Sequence, residues 1–361
     1  MIHPIHEKYA TLLVEYCLAV QPGEQVMLDV ATGALPLARA LNRAVLAAGA
    51  EPHLRLSYPE QSADLLELVS DRVLDSEPHA LLAQMQRMDA YVRVGAPENS
   101  RALQGADGAK LARLSRRMQE VNRTRLAKRW VVTLFPTAAS AQESGMATAE
   151  YERFVYGSMF LYDDDPAARW RELGERQQAW VERLERADQV RIEGPGTDLT
   201  LSVKGRRWMN SDGKRNMPSG EVFTGPLEDS ANGTISFAIP SNVDGALVEG
   251  VRLRFEDGKV VEATAERGQE LLDEKLATDD GARYLGELGI GTNPHIDRPT
   301  LKTLYDEKIL GTIHLALGRS YEETGGTNES AIHWDLVCDL RNEGRVLLDG
   351  EPFLENGRLV G

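Results

Sequence analysis

Five residues in the second half of this 361-residue chain have the types and spacing to hold a cation. The clearest segment is Ala331–Leu340, AIHWDLVCDL. Successive side chains of a strand point to opposite faces, so Ile332, Trp334, Leu336, Cys338 and Leu340 share one face. Ala331, His333, Asp335, Val337 and Asp339 share the other. The unbroken apolar alternation predicts a strand. It sets the His333 imidazole beside the Asp335 carboxylate, about 7 Å apart at the backbone for a rise of about 3.3 Å per residue. Side chains converging from that spacing suit one ion or two adjacent ions; the alternative is a solvated outer face. Thr312–Gly318, TIHLALG, predicts a second strand with Ile313, Leu315 and Leu317 on one face and His314, Ala316 and Gly318 on the other. Those small neighbours leave room beside His314 for a ligand or an ion. A satisfied core histidine is the alternative.

Two carboxylates are expected from turns. Glu221 follows Met217-Pro218-Ser219-Gly220 and opens the run Val222-Phe223-Thr224, and Glu287 sits in the apolar stretch Tyr284-Leu285-Gly286-Glu287-Leu288-Gly289. A carboxylate in such a segment costs stability or has a cation partner. A buried ion pair with Arg or Lys meets that need as well as a metal does. Taken together, two His, two Glu and one Asp make a mixed imidazole and carboxylate set. Such a set suits zinc, manganese or cobalt and not a thiolate structural zinc. It exceeds what one catalytic zinc usually takes, and with one carboxylate bridging it would hold two ions about 3.5–4 Å apart. Tyr321, just past the second strand, is either a hydrogen-bond donor to a developing oxyanion or an ordinary loop tyrosine packed on the surface.

The elements that position these residues fall in two halves. In the first, Gln25–Val30, His53–Tyr58, Ala90–Val94 and Trp130–Phe135 read as strands, with helical spacing at Leu35–Ala48 and in a basic segment at 109–127. That βαβα order predicts a mostly parallel sheet covered by helices. Residues 148–187 read as helix with a break at Asp163–Pro166. From about residue 189 the texture changes to antiparallel strands: Val190–Val203 around a Gly-rich turn, then Val251–Phe255 and Val260–Ala263 around Asp257-Gly258. Asp349-Gly350 and Asn356-Gly357 mark two further turns, and one helix is expected at 267–277. The fold class is thus an α/β N-terminal domain (1–188) with a mostly parallel sheet, then a β-rich α+β C-terminal domain (189–361) that carries the metal site. His3, His6, His53 and His79 lie apart in elements of different type, so the first domain is assigned to scaffolding, dimerisation and restricting access.

Composition narrows the class. With 41 Lys+Arg against 56 Asp+Glu the net charge is −15, which disfavours nucleic acid and anionic membrane as partners. The basic run from Arg113 to Arg129 is therefore read as a solvated helix face. No stretch of about 18 apolar residues is present. Glu15 interrupts the early apolar run Leu12–Val20, so no signal peptide is expected. Cys17 and Cys338 are too few for a disulfide framework, and the cytoplasm is the expected compartment. Gly194-Pro195-Gly196 lacks the third glycine and the helix of a dinucleotide loop, and Ser211-Asp212-Gly213-Lys214 is a turn, not a supported nucleophile.

Asn216–Pro226 (NMPSGEVFTGP), Tyr284–Asn293 (YLGELGIGTN), Thr303–Tyr321 (TLYDEKILGTIHLALGRSY) and Gly325–Asp335 (GGTNESAIHWD) together resemble the aminopeptidase T family of bacterial metallo-aminopeptidases, which includes aminopeptidase S. Arg129–Met146 and Gly194–Arg206 extend the resemblance over most of the chain. It implies two metal sites, with ligands falling on Glu221, Glu287, His314, His333 and Asp335, and an active-site tyrosine on Tyr321. It also implies a homodimer and the release of N-terminal residues from short peptides with a free N-terminus, by water activated between two divalent ions. Zinc is the expected ion, with cobalt or manganese as alternatives. Glu287 is expected to bridge and to steer the proton. The family often has Tyr-Pro where this chain has Tyr321-Glu322, a departure that touches substrate preference. The alternatives are another dinuclear hydrolase, an amidase or phosphoesterase, and a non-catalytic metal- or peptide-binding protein.

Overall fold

The computed structural model describes residues 2–99, 101–103, 105–243 and 245–360. These fall into two compact units: one runs up to Arg169 and regains Gly213–Pro218, and the other comprises Trp170–Asp212 and the chain from Ser219 onward.

The first unit is the α/β half that the alternating signals predict. Its sheet has the order Glu51–Ser57, Gln25–Ala31, Ala90–Gly95, Arg129–Leu134, Asn216–Met217, all parallel. The central strands are largely buried, so they read as near-continuous apolar runs such as VMLDV, interrupted there by Asp29, which accepts from the Tyr91 hydroxyl. Helices Leu35–Ala47 and Gly108–Leu126 match the expected spans within a residue or two. The Gly108–Leu126 helix spends part of its positive charge inside its own unit. Arg113 pairs with Asp71 at 2.6 Å and Asp75 at 2.8 Å, and Arg125 lies over the rings of Tyr91 and Trp130.

Two features depart from the expected organisation. The division falls between Arg169 and Trp170, not near residue 188. The reason is the helix Pro166–Leu184: its Trp170 and Leu173 are buried, and its Val181 and Leu184 belong to the core of the second unit. The short return Asn216–Met217 was hidden in what reads as turn sequence, because a two-residue parallel strand leaves no period.

The second unit is built on two large antiparallel sheets whose apolar faces meet in one core, beside a small two-stranded one, Ser241–Val243 with Ala246–Val248. One has eight strands, including Gln189–Gly194, Thr197–Ser202, Asn232–Phe237 and the hairpin Val251–Glu256/Lys259–Thr264. Asp257-Gly258, Asp349-Gly350 and Asn356-Gly357 have positive φ at both positions, as tight primed hairpin turns require. The other sheet has the order His333–Asp339, Thr312–Gly318, Leu285–Gly291, Glu221–Thr224, Met209–Ser211. Its inward face contributes Val222, Leu288, Ile290, Ile313, Leu315, Trp334 and Leu336 to the core. The expected helix at 267–277 is present as Gln269–Leu276, and a one-turn helix, Thr303–Asp306, precedes the His314 strand.

Candidate metal centre

Strand register alone brings the five predicted residues to one face. Directly opposed residues of an antiparallel pair point the same way. Gly318 opposes His333, and Ala316 opposes both Asp335 and Glu287. Gly289 opposes His314 on one side and Phe223 on the other, while Gly291 opposes Glu221. Glu221, Glu287, His314, His333 and Asp335 therefore share the outward face, spaced by Ala316, Gly289, Gly291 and Gly318. Both glutamates lie in strands, correcting the expectation that turns supply them. The Gly-rich LGELGIG reads as turn but is a fully buried strand, its glycines admitting neighbours that a side chain would exclude. A Cβ on Gly289 would lie 2.0 Å from His314 Nε2, so the imidazole rests directly across that backbone.

Glu287 reaches this face through a β-bulge. Leu285 pairs with Leu317 and Glu287 with Ala316, leaving Gly286 as the extra residue. Had Leu285, Gly286 and Glu287 alternated strictly, Glu287 would share the face of Leu285 and Leu317, inside the core. A Cβ on Gly286 would meet two carbonyl oxygens, of Gly318 and Arg319, at 2.4 Å.

The side chains converge closely. His314 Nε2 lies 3.0 Å from Glu287 Oε1 and 3.5 Å from Glu221 Oε2. His333 Nε2 lies 3.5 Å from Glu287 Oε2 and 3.6 Å from Asp335 Oδ1. His333 Nδ1 donates to the Arg319 carbonyl at 2.7 Å, which fixes the tautomer and turns Nε2 toward the cluster. Tyr321 stands at the rim, its ring centroid 5.1 Å from that of His333 and 5.7 Å from that of Phe223.

Two residues that the sequence reading did not weigh complete the cluster. Glu307 and Lys308 follow the short helix Thr303–Asp306. Lys308 is 0% exposed, with Nζ 3.4 Å from Glu221 Oε1 and in contact with Glu307 Oε1. Both alternatives raised for Glu221, a metal and a lysine, thus bear on the same carboxylate. The signal that could have found the pair is DEK set between apolar segments.

The donor set fits divalent cations. Ligand atoms about 2.1 Å from a common tetrahedral ion lie about 3.4 Å from one another, close to the 3.5 and 3.6 Å between the imidazole nitrogens and Glu221 Oε2, Glu287 Oε2 and Asp335 Oδ1. Glu221 Oε2 and Asp335 Oδ1 are buried with no hydrogen-bond partner among the described residues. Two overlapping groups, Glu221–Glu307–His314 and Glu287–His314–Asp335, each bring three ligand atoms within 4.8 Å of one another.

Burial raises the carboxyls of Glu221, Glu287 and Glu307 above the usual range. Burial acts against imidazolium at His314, but its bond to Glu287 and the charges of Glu221, Glu287 and Asp335 outweigh it and raise His314 to about 9. At His333 burial is likewise overcome, chiefly by Asp335, and the pKa rises to about 10. Burial would lift Asp335, yet His333, with His314 and Lys308, holds it at about 2. Protons therefore stand in for a cation on both imidazoles at neutral pH. Loading the ion-free protein at pH 7 is expected to release about two protons per chain, as ligands must deprotonate. Calorimetry in buffers of different ionisation enthalpy measures that release. An uptake independent of buffer would contradict the assignment of the two imidazoles.

A buried set of carboxylates and imidazoles on one sheet face defines a protein built to hold divalent metal. The sequence matches the thermophilic metalloprotease (M29) profile over residues 3–358, and the chain belongs to that family of peptide-bond hydrolases. It is 29% identical to Aminopeptidase 2 of Geobacillus stearothermophilus, over 97% of this chain and 96% of the relative. It is 28% identical to Aminopeptidase PepS of Streptococcus thermophilus, over 98% and 97% respectively. The structure of wild-type AmpT from Thermus thermophilus superposes with a TM-score of 0.85 at 26% identity, covering 99% of both chains. The expected fold class and the aminopeptidase T resemblance are both borne out.

Proposed function

We propose that this chain is an aminopeptidase that removes the first residue from short peptides with a free N-terminus. The observation that carries the reading is the convergence of Glu221, Glu287, His314, His333 and Asp335 on one sheet face, joined by Glu307. These residues would hold two divalent ions, zinc foremost and cobalt or manganese as alternatives, which when bound polarise a carbonyl and lower the pKa of water. The carboxylate lining suits a substrate that brings a positive amino terminus. Glu287, bonded to His314 through one oxygen and facing His333 with the other, bridges the two halves of the cluster. It is the group suited to orient a water and to carry its proton to the leaving amine. Burial and the surrounding carboxylates raise the Tyr321 pKa, so its phenol stays protonated and able to donate to the oxyanion.

We assign scaffolding and dimerisation to the first unit. Leu54, Leu56 and Tyr58, on or beside its edge strand Glu51–Ser57, are 46%, 44% and 51% exposed, and apolar residues gathered at a sheet edge suit a homodimer contact. A reducing cytoplasm suits a chain with two cysteines, both buried.

Aminoacyl-anilides with added zinc, cobalt or manganese test the activity. Turnover with at least one ion is expected, and none with any ion would leave a binding protein. Tyr321→Phe is expected to lower kcat by about 10²–10³, the usual cost of one oxyanion donor, with metal content and KM nearly unchanged. Steady-state kinetics at fixed metal content checks this; a variant with wild-type kcat makes Tyr321 a packing residue.

A further inference from the structure

We infer that the Lys308 ammonium is the resident cation of one of the two ion positions, so that the positions load unequally. The first ion goes to Glu287–His314–Asp335, beside His333. The second reaches Glu221–Glu307 only by displacing Lys308. This rests on the metal-centre reading above and adds an order of loading to it.

The argument starts from competition for the same oxygens. Lys308 Nζ lies 3.4 Å from Glu221 Oε1 and touches Glu307 Oε1. Those two carboxylates are also the acidic members of the Glu221–Glu307–His314 group. A fully buried ammonium is retained only where carboxylates surround it, and here it takes the charge that an ion would neutralise. Lys308 forms its ion pairs with Glu221 and Glu307 and not with the carboxylates of the other group, from which only protons have to leave.

Charge counting points the same way. Glu221, Glu287, Glu307 and Asp335 against Lys308 leave three net negative charges when both imidazoles are neutral ligands. One divalent ion reduces that to one negative charge. A second ion with Lys308 still in place would leave a buried positive excess, so the ammonium must withdraw. His314 sharpens the asymmetry: it belongs to both groups but turns a single nitrogen, Nε2, toward them. The ion that takes it leaves the other position with carboxylates alone.

Only the side chain is poised to move. The Lys308 N–H donates to the Tyr305 carbonyl at 2.9 Å, and its carbonyl accepts from the Asn293 N–H at 3.1 Å. The preceding Asp306 accepts from the backbone and hydroxyl of Thr300 at 2.7 and 2.8 Å. Displacement is therefore a rotation about the lysine stem on a fixed backbone.

The test is equilibrium dialysis of chelator-stripped full-length protein against zinc, with ion content read by mass spectrometry and folding by circular dichroism. Wild type is expected to take one ion, then a second at least about 100-fold more weakly, as the displaced buried charge demands. Lys308→Met should bring the two affinities within about tenfold of each other. Glu307→Gln, which retains the lysine, should weaken the second ion and leave the first unchanged; it keeps the test decisive if Lys308→Met does not fold. Two equal ions in wild type, an unchanged gap in Lys308→Met, or loss of the first ion in Glu307→Gln overturns the proposal. No bound zinc in wild type would instead remove the metal-centre reading beneath it.

Discussion

Asp335→Ala and His333→Ala are each expected to lower kcat/KM by at least about 10³, roughly 4 kcal/mol at 1.36 kcal/mol per decade, and to purify with less metal. Both side chains stand on the outward face of their strand, while Trp334, Leu336 and Cys338 on the inward face stay in the core. The sandwich should therefore remain folded. Asp335 also pairs with the His333 imidazolium in the ion-free protein, so its removal costs some ion-free stability as well, which the unfolding measurement reads separately. His333 holds its place through the Arg319 carbonyl, and alanine there removes a ligand without opening the core. Metal analysis and thermal unfolding of the purified variants separate the effects. A variant with full metal content removes its residue from the ligand set.

The second large effect comes from a residue with no functional group. Gly289→Ala places a methyl 2.0 Å from His314 Nε2 and 2.1 Å from its Cε1, so the imidazole must leave the position it shares with Glu221 and Glu287. Because His314 belongs to both ligand groups, one methyl disturbs both. Metal affinity is expected to fall about 100-fold, the upper end of the cost of misorienting a ligand, with about 1–3 kcal/mol lost from folding through overpacking. Calorimetric titration with zinc reads the first quantity and denaturant unfolding the second. Wild-type zinc affinity in this variant would mean that His314 binds no ion.

How much of this was legible depends on the period of each element. The His333 strand could be read outright, since five alternating apolar residues fix which side is core. The His314 strand was legible for the same reason, and the two histidines came to one face. Glu221 and Glu287 were found by their chemistry, as carboxylates among apolar residues, but were misread as turn residues because glycine normally breaks strands. Here glycine is what lets a ligand cross the backbone. Glu307 and Lys308 could not be placed, since they follow a one-turn helix and only tertiary packing turns them to the sheet. The division at Arg169 escaped for a related reason: Pro166–Leu184 is one uninterrupted helix, and its sequence does not record which core its faces serve.

The bulge at Gly286 makes the site a matter of counting as well as of chemistry. Every ligand could be kept, and every core residue with it, yet drawing Gly286 into the ladder opposite Ala316 would restore strict alternation and pass Glu287 to the apolar side. A relative that retained each ligand but carried a side chain at the Gly286 position would satisfy a search by ligand identity, although its Cβ would lie 2.4 Å from the Gly318 and Arg319 carbonyl oxygens that line the bulge. In comparing members of this family, a substitution of this glycine therefore carries information about the centre that the ligand identities alone do not.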